Sequence, residues 1–474
     1  MNDLLLIILI VLYIYTIISA IPVLLLENRN PVRSLSWIIV LILLPLLGIV
    51  LYLLIGQNYR KQKIISKKSV RHHSAMPQRE LNPESFSEII TEKKHLNLIK
   101  LLYKNSDAAV WANNKIEILS DGESTFKAMF DAIESAENHI HIEFFIFGND
   151  IISNKLRELL IQKAKQGIRV RMIYDYLGSF NLSGIYIQSL KDAGVYVKPF
   201  LPLRLRLRRS KINFRNHRKV LIVDGKYGFT GGLNIADRYL FGNNLGKWRD
   251  TFVRFEGSVV HGLQSLFLTD WYFVERKLIT DAKYYPEPQV FENNLVQIVS
   301  SGPDSDWETI MQGISAAIMA SKKYIFIHTP YFVPNDIVLH SVCIAALSGI
   351  DVRLMIPTKS DSRLSDACTS SYLGEILEAG VKVYRYKKGF LHSKAIVIDD
   401  NLSIVGSANL DERSFNQNFE ANAFIFDRKT ATHLKNLFIK DMQNCTEISF
   451  QDWHNRKRNQ KLKESIARLF SPLV

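Results

Sequence analysis

At 474 residues the chain is long enough for a hydrophobic anchor and two core-bearing lobes, so a single small module is excluded. Its three cysteines, Cys343, Cys368 and Cys445, cannot all pair internally and lack metal-ligand spacing, which excludes a disulfide framework and a cysteine metal centre and fits a reducing, cytosolic setting. The formal net charge of +14 points to a polyanionic partner, either nucleic acid or the surface of an anionic membrane.

The N-terminus favours the membrane. Leu4 to Leu26 carries no charged residue, nor does Leu35 to Gly56. Each run exceeds the roughly 20 residues that an α-helix needs to cross hydrocarbon. Between them lies only Glu27-Asn28-Arg29-Asn30-Pro31-Val32-Arg33-Ser34, so residues 1–56 read as a transmembrane hairpin with spans at about 4–26 and 35–56. The start Met1-Asn2-Asp3 lacks the basic residues of a cleaved signal peptide. Arg60, Lys61, Lys63, Lys67, Lys68 and Arg71 follow the second run, against Arg29 and Arg33 in the turn. That bias places the long C-terminal part in the cytoplasm, with a re-entrant hairpin as the other topology.

Residues 57–110 read as a basic linker and the start of the soluble part, with a helical patch around Lys93 to Tyr103. Beyond it the chain repeats itself. Asn113 to Gly122 matches Asn293 to Gly302, and the apolar strand Ile140 to Phe147 matches Ile325 to Val333. Gly167-Ile168-Arg169-Val170 matches Gly349-Ile350-Asp351-Val352, and Ala193-Gly194-Val195 matches Ala379-Gly380-Val381. Glycine followed by alternating apolar residues, after a helical pattern, marks the helix-to-strand rhythm of an α/β fold. The expected division is a first lobe at 111–290, a second at 291–450 and a basic amphipathic C-terminal helix at 451–474.

Within the first lobe, Leu203, Leu205 and Leu207 alternate with Arg204, Arg206 and Arg208 on the approach to His217. Such a strand can press one face on acyl chains and the other on anionic headgroups, or be an ordinary charged edge strand. The C-terminal segment has two readings as well: a helix lying on the bilayer, or one packed on the lobe. Glu143, His141 and His328 on or beside strands read as structural or pocket-wall groups.

Both repeats end in one motif, His217-x-Lys219-x4-Asp224 and His392-x-Lys394-x4-Asp399, followed by Gly231-Gly232 with Asn234 and by Gly406-Ser407 with Asn409. In an extended strand the His and Lys, two apart, project together, while Val220/Ile222 and Ala395/Val397 face a core. A phosphodiester hides its phosphorus behind negative oxygens, which Lys219 and Lys394 suit. A neutral imidazole can attack phosphorus, and a protonated one can donate to the leaving alkoxide. Two histidines of opposed protonation are therefore useful, which explains the doubled motif. This chemistry requires no metal, and no His/Asp/Glu cluster of metal-ligand spacing stands out.

With these paired segments the sequence resembles the phospholipase D superfamily, and within it the bacterial cardiolipin synthases. The narrower resemblance rests on Glu27-Asn28-Arg29-Asn30-Pro31, His139-Ile140-His141-Ile142-Glu143-Phe144, Phe214-Arg215-Asn216-His217-Arg218-Lys219 and Ala467-Arg468-Leu469-Phe470-Ser471-Pro472-Leu473. It implies two tandem α/β/α sandwich lobes related by a pseudo-twofold, with one active site between them. It further implies His217 as nucleophile and His392 as general acid, then base. Glu420 in Asn418-Phe419-Glu420 would orient His392, and Asp250 in Trp248-Arg249-Asp250 would orient His217. Asp224 and Asp399 would brace the lobe interface, and Asn234, Asn409 and Ser407 would bind phosphate oxygens. The implied reaction joins two phosphatidylglycerol molecules with loss of glycerol, without a nucleotide cofactor. A phospholipase D or a phosphatidyltransferase to another alcohol shares the chemistry. The membrane spans argue against nucleic acid as substrate, and the complete motifs argue against an inactive adaptor.

Overall fold

A computed structural model describes residues 31–44, 93–202 and 213–473, with isolated positions between 4 and 14 and between 47 and 52. The expected spans 4–26 and 35–56 therefore lie largely outside the described residues, as does most of the leucine-arginine alternation, 203–212. Among the described residues no helix is long and apolar enough to cross a membrane. The helix Pro31–Leu43 starts inside the polar turn, with proline at the first position, where its missing N–H costs nothing. It ends two residues before Pro45, because proline disfavours helical geometry in the residue ahead of it. The Tyr13 hydroxyl donates to the Ile42 carbonyl.

The repeat becomes two mixed sheets. The seven-stranded sheet runs Lys115–Leu119, Phe252–Glu256, Tyr227–Gly231, Lys219–Val223, His139–Phe144, Arg169–Asp175, Tyr196–Phe200. Its last three strands are parallel and the others antiparallel. The second sheet repeats that arrangement: Tyr324–His328, Asp351–Pro357 and Lys382–Tyr386 are parallel, and Ala395–Ile398, Leu402–Gly406, Asn418–Phe426 and Leu295–Ser301 extend it antiparallel. The glycines opening the second strand of each parallel set, Gly167 and Gly349, both have φ +86, the left-handed conformation that ends the preceding helix without a Cβ penalty.

The linker does not stay with the repeat it precedes. Val110–Ala112 pairs antiparallel with Leu295–Ser301 of the second sheet. The helix Lys93–Ser106 buries Leu98 and Leu102 in that sheet's core, and Asn105 Nδ2 donates to Gln312 Oε1 at 2.6 Å. Its apolar spacing thus has a destination far away in sequence, as the hydrogen bond from Gln297 Nε2 to the Ile99 carbonyl, 198 residues apart, shows.

A single apolar cluster joins the two sheets. It holds Val220 and Ile222 from one motif strand, Ala395 and Val397 from the other, and the helices Val259–Glu275 and Arg428–Met442. The core-facing assignment of these four residues agrees with the structure. Their neighbours Leu221 and Val223, and Ile396 and Ile398, fill separate clusters, so both motif strands are buried on both faces. The C-terminal segment is two helices, Phe450–His454 and Arg458–Arg468. The second buries Ala467, whose carbonyl accepts from Cys368 Sγ, against the second sheet's helical layer and leaves Leu462, Ile466, Leu469 and Phe470 exposed.

Candidate active site

Two short strand pairs cross between the sheets and build the site. Arg215–Asn216 runs parallel to Asn418–Phe419, and Lys247–Arg249 runs parallel to Gly389–Leu391. Each ends by tying a motif histidine to the opposite repeat. The His217 N–H donates to the Phe419 carbonyl at 2.9 Å, and the His392 N–H to the Arg249 carbonyl at 2.8 Å. The next residue along each accepting strand is a carboxylate. Hence Glu420 faces His217, with both oxygens 3.0 Å from Nδ1, and Asp250 faces His392, with Oδ2 2.7 Å from Nδ1. This reverses the expected pairing. Within one repeat the carboxylate follows its own histidine in sequence, but the crossing strands deliver it to the other lobe's imidazole.

Four further expectations change. Asp224 accepts from the N–H groups of Glu137, Asn138 and His139, and Asp399 from those of Lys322, Lys323 and Tyr324. They clamp the entry to the first parallel strand within their own lobe, not the interface, and sit at φ +55 and +54. Ser407 does not wait for phosphate: its hydroxyl donates to Glu420 Oε2 at 2.5 Å. Asn234 is likewise engaged, donating to the Tyr239 hydroxyl at 2.8 Å and accepting from the Ile146 N–H. Gly232 is small for the sake of Asp250, because a Cβ there would collide with Oδ1. Asn409 alone of these keeps a buried side-chain oxygen without a donor.

The lysines complete the centre. Lys219 Nζ donates to the His217 carbonyl at 2.6 Å, and Lys394 Nζ lies 3.0 and 3.1 Å from the two ring nitrogens of His392. Phe145 walls the His217 ring at 5.0 Å, and Trp248 and Tyr239 wall that of His392 at 5.1 and 5.6 Å. Both motif histidines, both motif lysines and both carboxylates are buried, so their ionisation departs from solution values. Burial lowers His217 to about 4, against the pull of Glu420. Burial would raise Glu420, but His217, Lys219 and the Ser407 hydroxyl outweigh it and hold the carboxylate at about 2. Burial, countered by Lys394, raises Asp250 to about 6. Burial and Lys394 push His392 well below its usual value, and burial brings Lys394 down to about 8. At neutral pH His217 is thus a neutral imidazole beside a fully ionised partner. Nδ1 is committed to Glu420, which leaves Nε2 to meet an electrophile.

Sequence reading missed Arg218, the residue between the motif His and Lys. It is fully buried and ion-pairs with Asp270, while its Nε donates to the Glu420 carbonyl at 3.2 Å. Glu143, read as a structural or pocket-wall group, lies in the same network, taking a hydrogen bond from Asn216 Nδ2. Asp270 was the available signal: a charge in the middle of the apolar helix Val259–Glu275 must have a partner. His141, stacked on Phe267 at 4.5 Å, and His328, against Phe438, are structural as expected.

Comparison with known proteins then supplies a context for this geometry. Residues 129–271 and 314–442 match the family described as cardiolipin synthase, phospholipase D-like domain, and residues 11–57 match the phospholipase D-nuclease N-terminal family. The chain is 41% identical over 456 residues to cardiolipin synthase 2 of Bacillus anthracis, covering 95% of this chain and 89% of that one. It is 39% identical over 474 residues to the major cardiolipin synthase ClsA of Bacillus subtilis (strain 168), covering 98% of each. The crystal structure of phosphatidylserine synthase from Haemophilus influenzae Rd KW20 superposes with a TM-score of 0.61 at 14% identity, over 80% of this chain and 100% of that one, a likeness of fold.

Proposed function

The chain belongs to the cardiolipin synthase family of phospholipase D-like proteins, and we propose that its His217 carries the phosphatidyl group from one phosphatidylglycerol to another. His217 Nε2 attacks phosphorus while Lys219 and Lys394 hold the non-bridging oxygens. The bond to the glycerol oxygen breaks, and that oxygen takes a proton from His392. A second phosphatidylglycerol then replaces glycerol: its hydroxyl gives a proton to His392, its oxygen bonds phosphorus, and the phosphorus–nitrogen bond opens. Two phosphatidylglycerols become cardiolipin and glycerol. One phosphodiester replaces another, so no nucleotide is consumed.

The observation that carries this assignment is geometric: Glu420, fixed by the Ser407 hydroxyl, meets His217 Nδ1 with both oxygens, whereas Asp250 meets His392 Nδ1 with one. A firm anion on Nδ1 suits a ring that becomes cationic on phosphorylation. A carboxylate nearer neutrality suits a ring that trades protons. His392 must be protonated to act, and the cationic field of Lys394 opposes that in the free enzyme. An arriving phosphodiester anion offsets the field and restores the proton.

Purified enzyme given phosphatidylglycerol alone is expected to yield cardiolipin and glycerol in equal amounts; phosphatidic acid as the sole lipid product would refute the transfer. The rate at low substrate, which reports the free enzyme, should fall as pH rises through about 6, where the Asp250–His392 pair loses the proton that His392 must donate, and fall again through about 8 as Lys394 loses its charge. Lys394→Arg should carry the upper limb to higher pH, and an unmoved limb would assign it to another group.

The lobes are of α/β/α kind, 111–290 and 291–450, related by a pseudo-twofold that passes between His217 and His392; the reciprocal histidine–carboxylate pairs support that relation. The two apolar N-terminal runs hold them on the cytoplasmic side of the bacterial cytoplasmic membrane, where phosphatidylglycerol is embedded. The exposed Leu462, Ile466, Leu469 and Phe470, beside Arg458, Lys461 and Lys463, rest on that anionic surface.

A further inference from the structure

We propose that Arg238 binds the phosphate of the acceptor phosphatidylglycerol, which makes it the residue that distinguishes a lipid acceptor from glycerol or water. This rests on the transfer reading above and names which side of the site the second headgroup occupies. In-line displacement at phosphorus puts the incoming oxygen opposite His217, hence beside His392. The acceptor's own phosphate is three carbons from that oxygen, so its charge must be met on the His392 side of the centre.

Arg238 stands there. Its guanidinium lies over Trp248 at 5.0 Å and over Tyr239 at 5.5 Å, the two rings that wall His392. His392 feels its positive charge. No carboxylate among the described residues forms an ion pair with it, and its buried Nε has no hydrogen-bonding partner. Stacking fixes the plane of the guanidinium, and beyond its hydrogen bond to the Tyr239 hydroxyl no ion pair among the described residues occupies its remaining N–H groups, which can receive a phosphate. Of the acids on this side, Asp250 is engaged by His392 at 2.7 Å and Asp361 by the Tyr331 hydroxyl at 2.5 Å. The repeat counterpart of Arg238 is Arg413, four residues beyond Asn409 as Arg238 is four beyond Asn234. Arg413 lies instead near Arg215, two residues ahead of His217, on the side that no alcohol approaches.

The test compares two reactions of one phosphatidyl-enzyme: cardiolipin formation, whose acceptor carries a phosphate, and exchange of radiolabelled glycerol into phosphatidylglycerol, whose acceptor does not. Losing a charged hydrogen-bonding partner weakens binding by about 10- to 100-fold. Arg238→Gln is therefore expected to lower the ratio of transfer to exchange by that factor, through a higher KM for the acceptor lipid. Arg238→Lys, a point charge without the fork, should recover part of it. An equal fall of both reactions in either variant, or an unchanged ratio, overturns the assignment. Failure of the unaltered enzyme to make any cardiolipin would instead overturn the transfer reading itself.

Discussion

Replacing His217 by alanine is expected to lower cardiolipin formation by about 10⁴-fold or more, because the nucleophile of a two-step transfer has no substitute. The loss should extend to every donor, including an aryl phosphodiester whose leaving group departs unprotonated. His392→Ala should be as damaging with phosphatidylglycerol but should still release one equivalent of phenolate from the aryl donor, since only proton transfer is missing. Stopped-flow measurement of that burst separates the two. A burst from His217→Ala and none from His392→Ala would exchange their roles. The expected distinction follows from the proposed roles and rests on the crossed carboxylates, Glu420 on His217 Nδ1 and Asp250 on His392 Nδ1.

Arg218→Met is expected to cost about 3–5 kcal/mol of stability, the usual effect of removing one partner of a buried ion pair. Arg218 is sealed between the lobes, with Asp270 on one side and the Glu420 carbonyl on the other. Its loss strands Asp270 beside Glu143, whose own carboxyl is held well above the usual range by burial and by the Asp270 charge. The guanidinium of Arg218 lowers both carboxyls, so without it two acids share a dry pocket. Urea titration of the detergent-solubilised protein would measure the difference. The double variant Arg218→Met with Asp270→Leu should regain much of the loss, since it removes both charges instead of one. A single variant within 1 kcal/mol of the parent, on the order of an exposed pair, would show that the triad is not holding the lobes.

The sequence displayed the repeat plainly, and the two sheets follow it, down to matching parallel strands and matching Asp224 and Asp399 clamps. What it concealed was the exchange between the halves. The strands that carry Glu420 to His217 and Asp250 to His392 pair over two and three residues, too few for any periodicity to mark. Repeat logic assigns each carboxylate to its own lobe, and only pairing across the interface corrects it. The placement of Val110–Ala112 in the second sheet was hidden for the same reason: long-range pairing leaves no local trace. Arg218 was concealed by its neighbours, since a basic residue flanked by His217 and Lys219 reads as more surface charge. The structure makes it the one arginine among the largest fully buried side chains of the described residues.

His217, braced across the interface by Glu420, is expected to form the covalent intermediate. Mixing the enzyme with phosphatidylglycerol labelled in its acyl chains, quenching in neutral denaturant to spare both the acid-labile phosphorus–nitrogen bond and the alkali-labile acyl esters, and mapping the labelled peptide by mass spectrometry tests this most directly. A phosphatidyl group on the peptide containing His217 is the predicted result. The same group on the peptide containing His392 would contradict it.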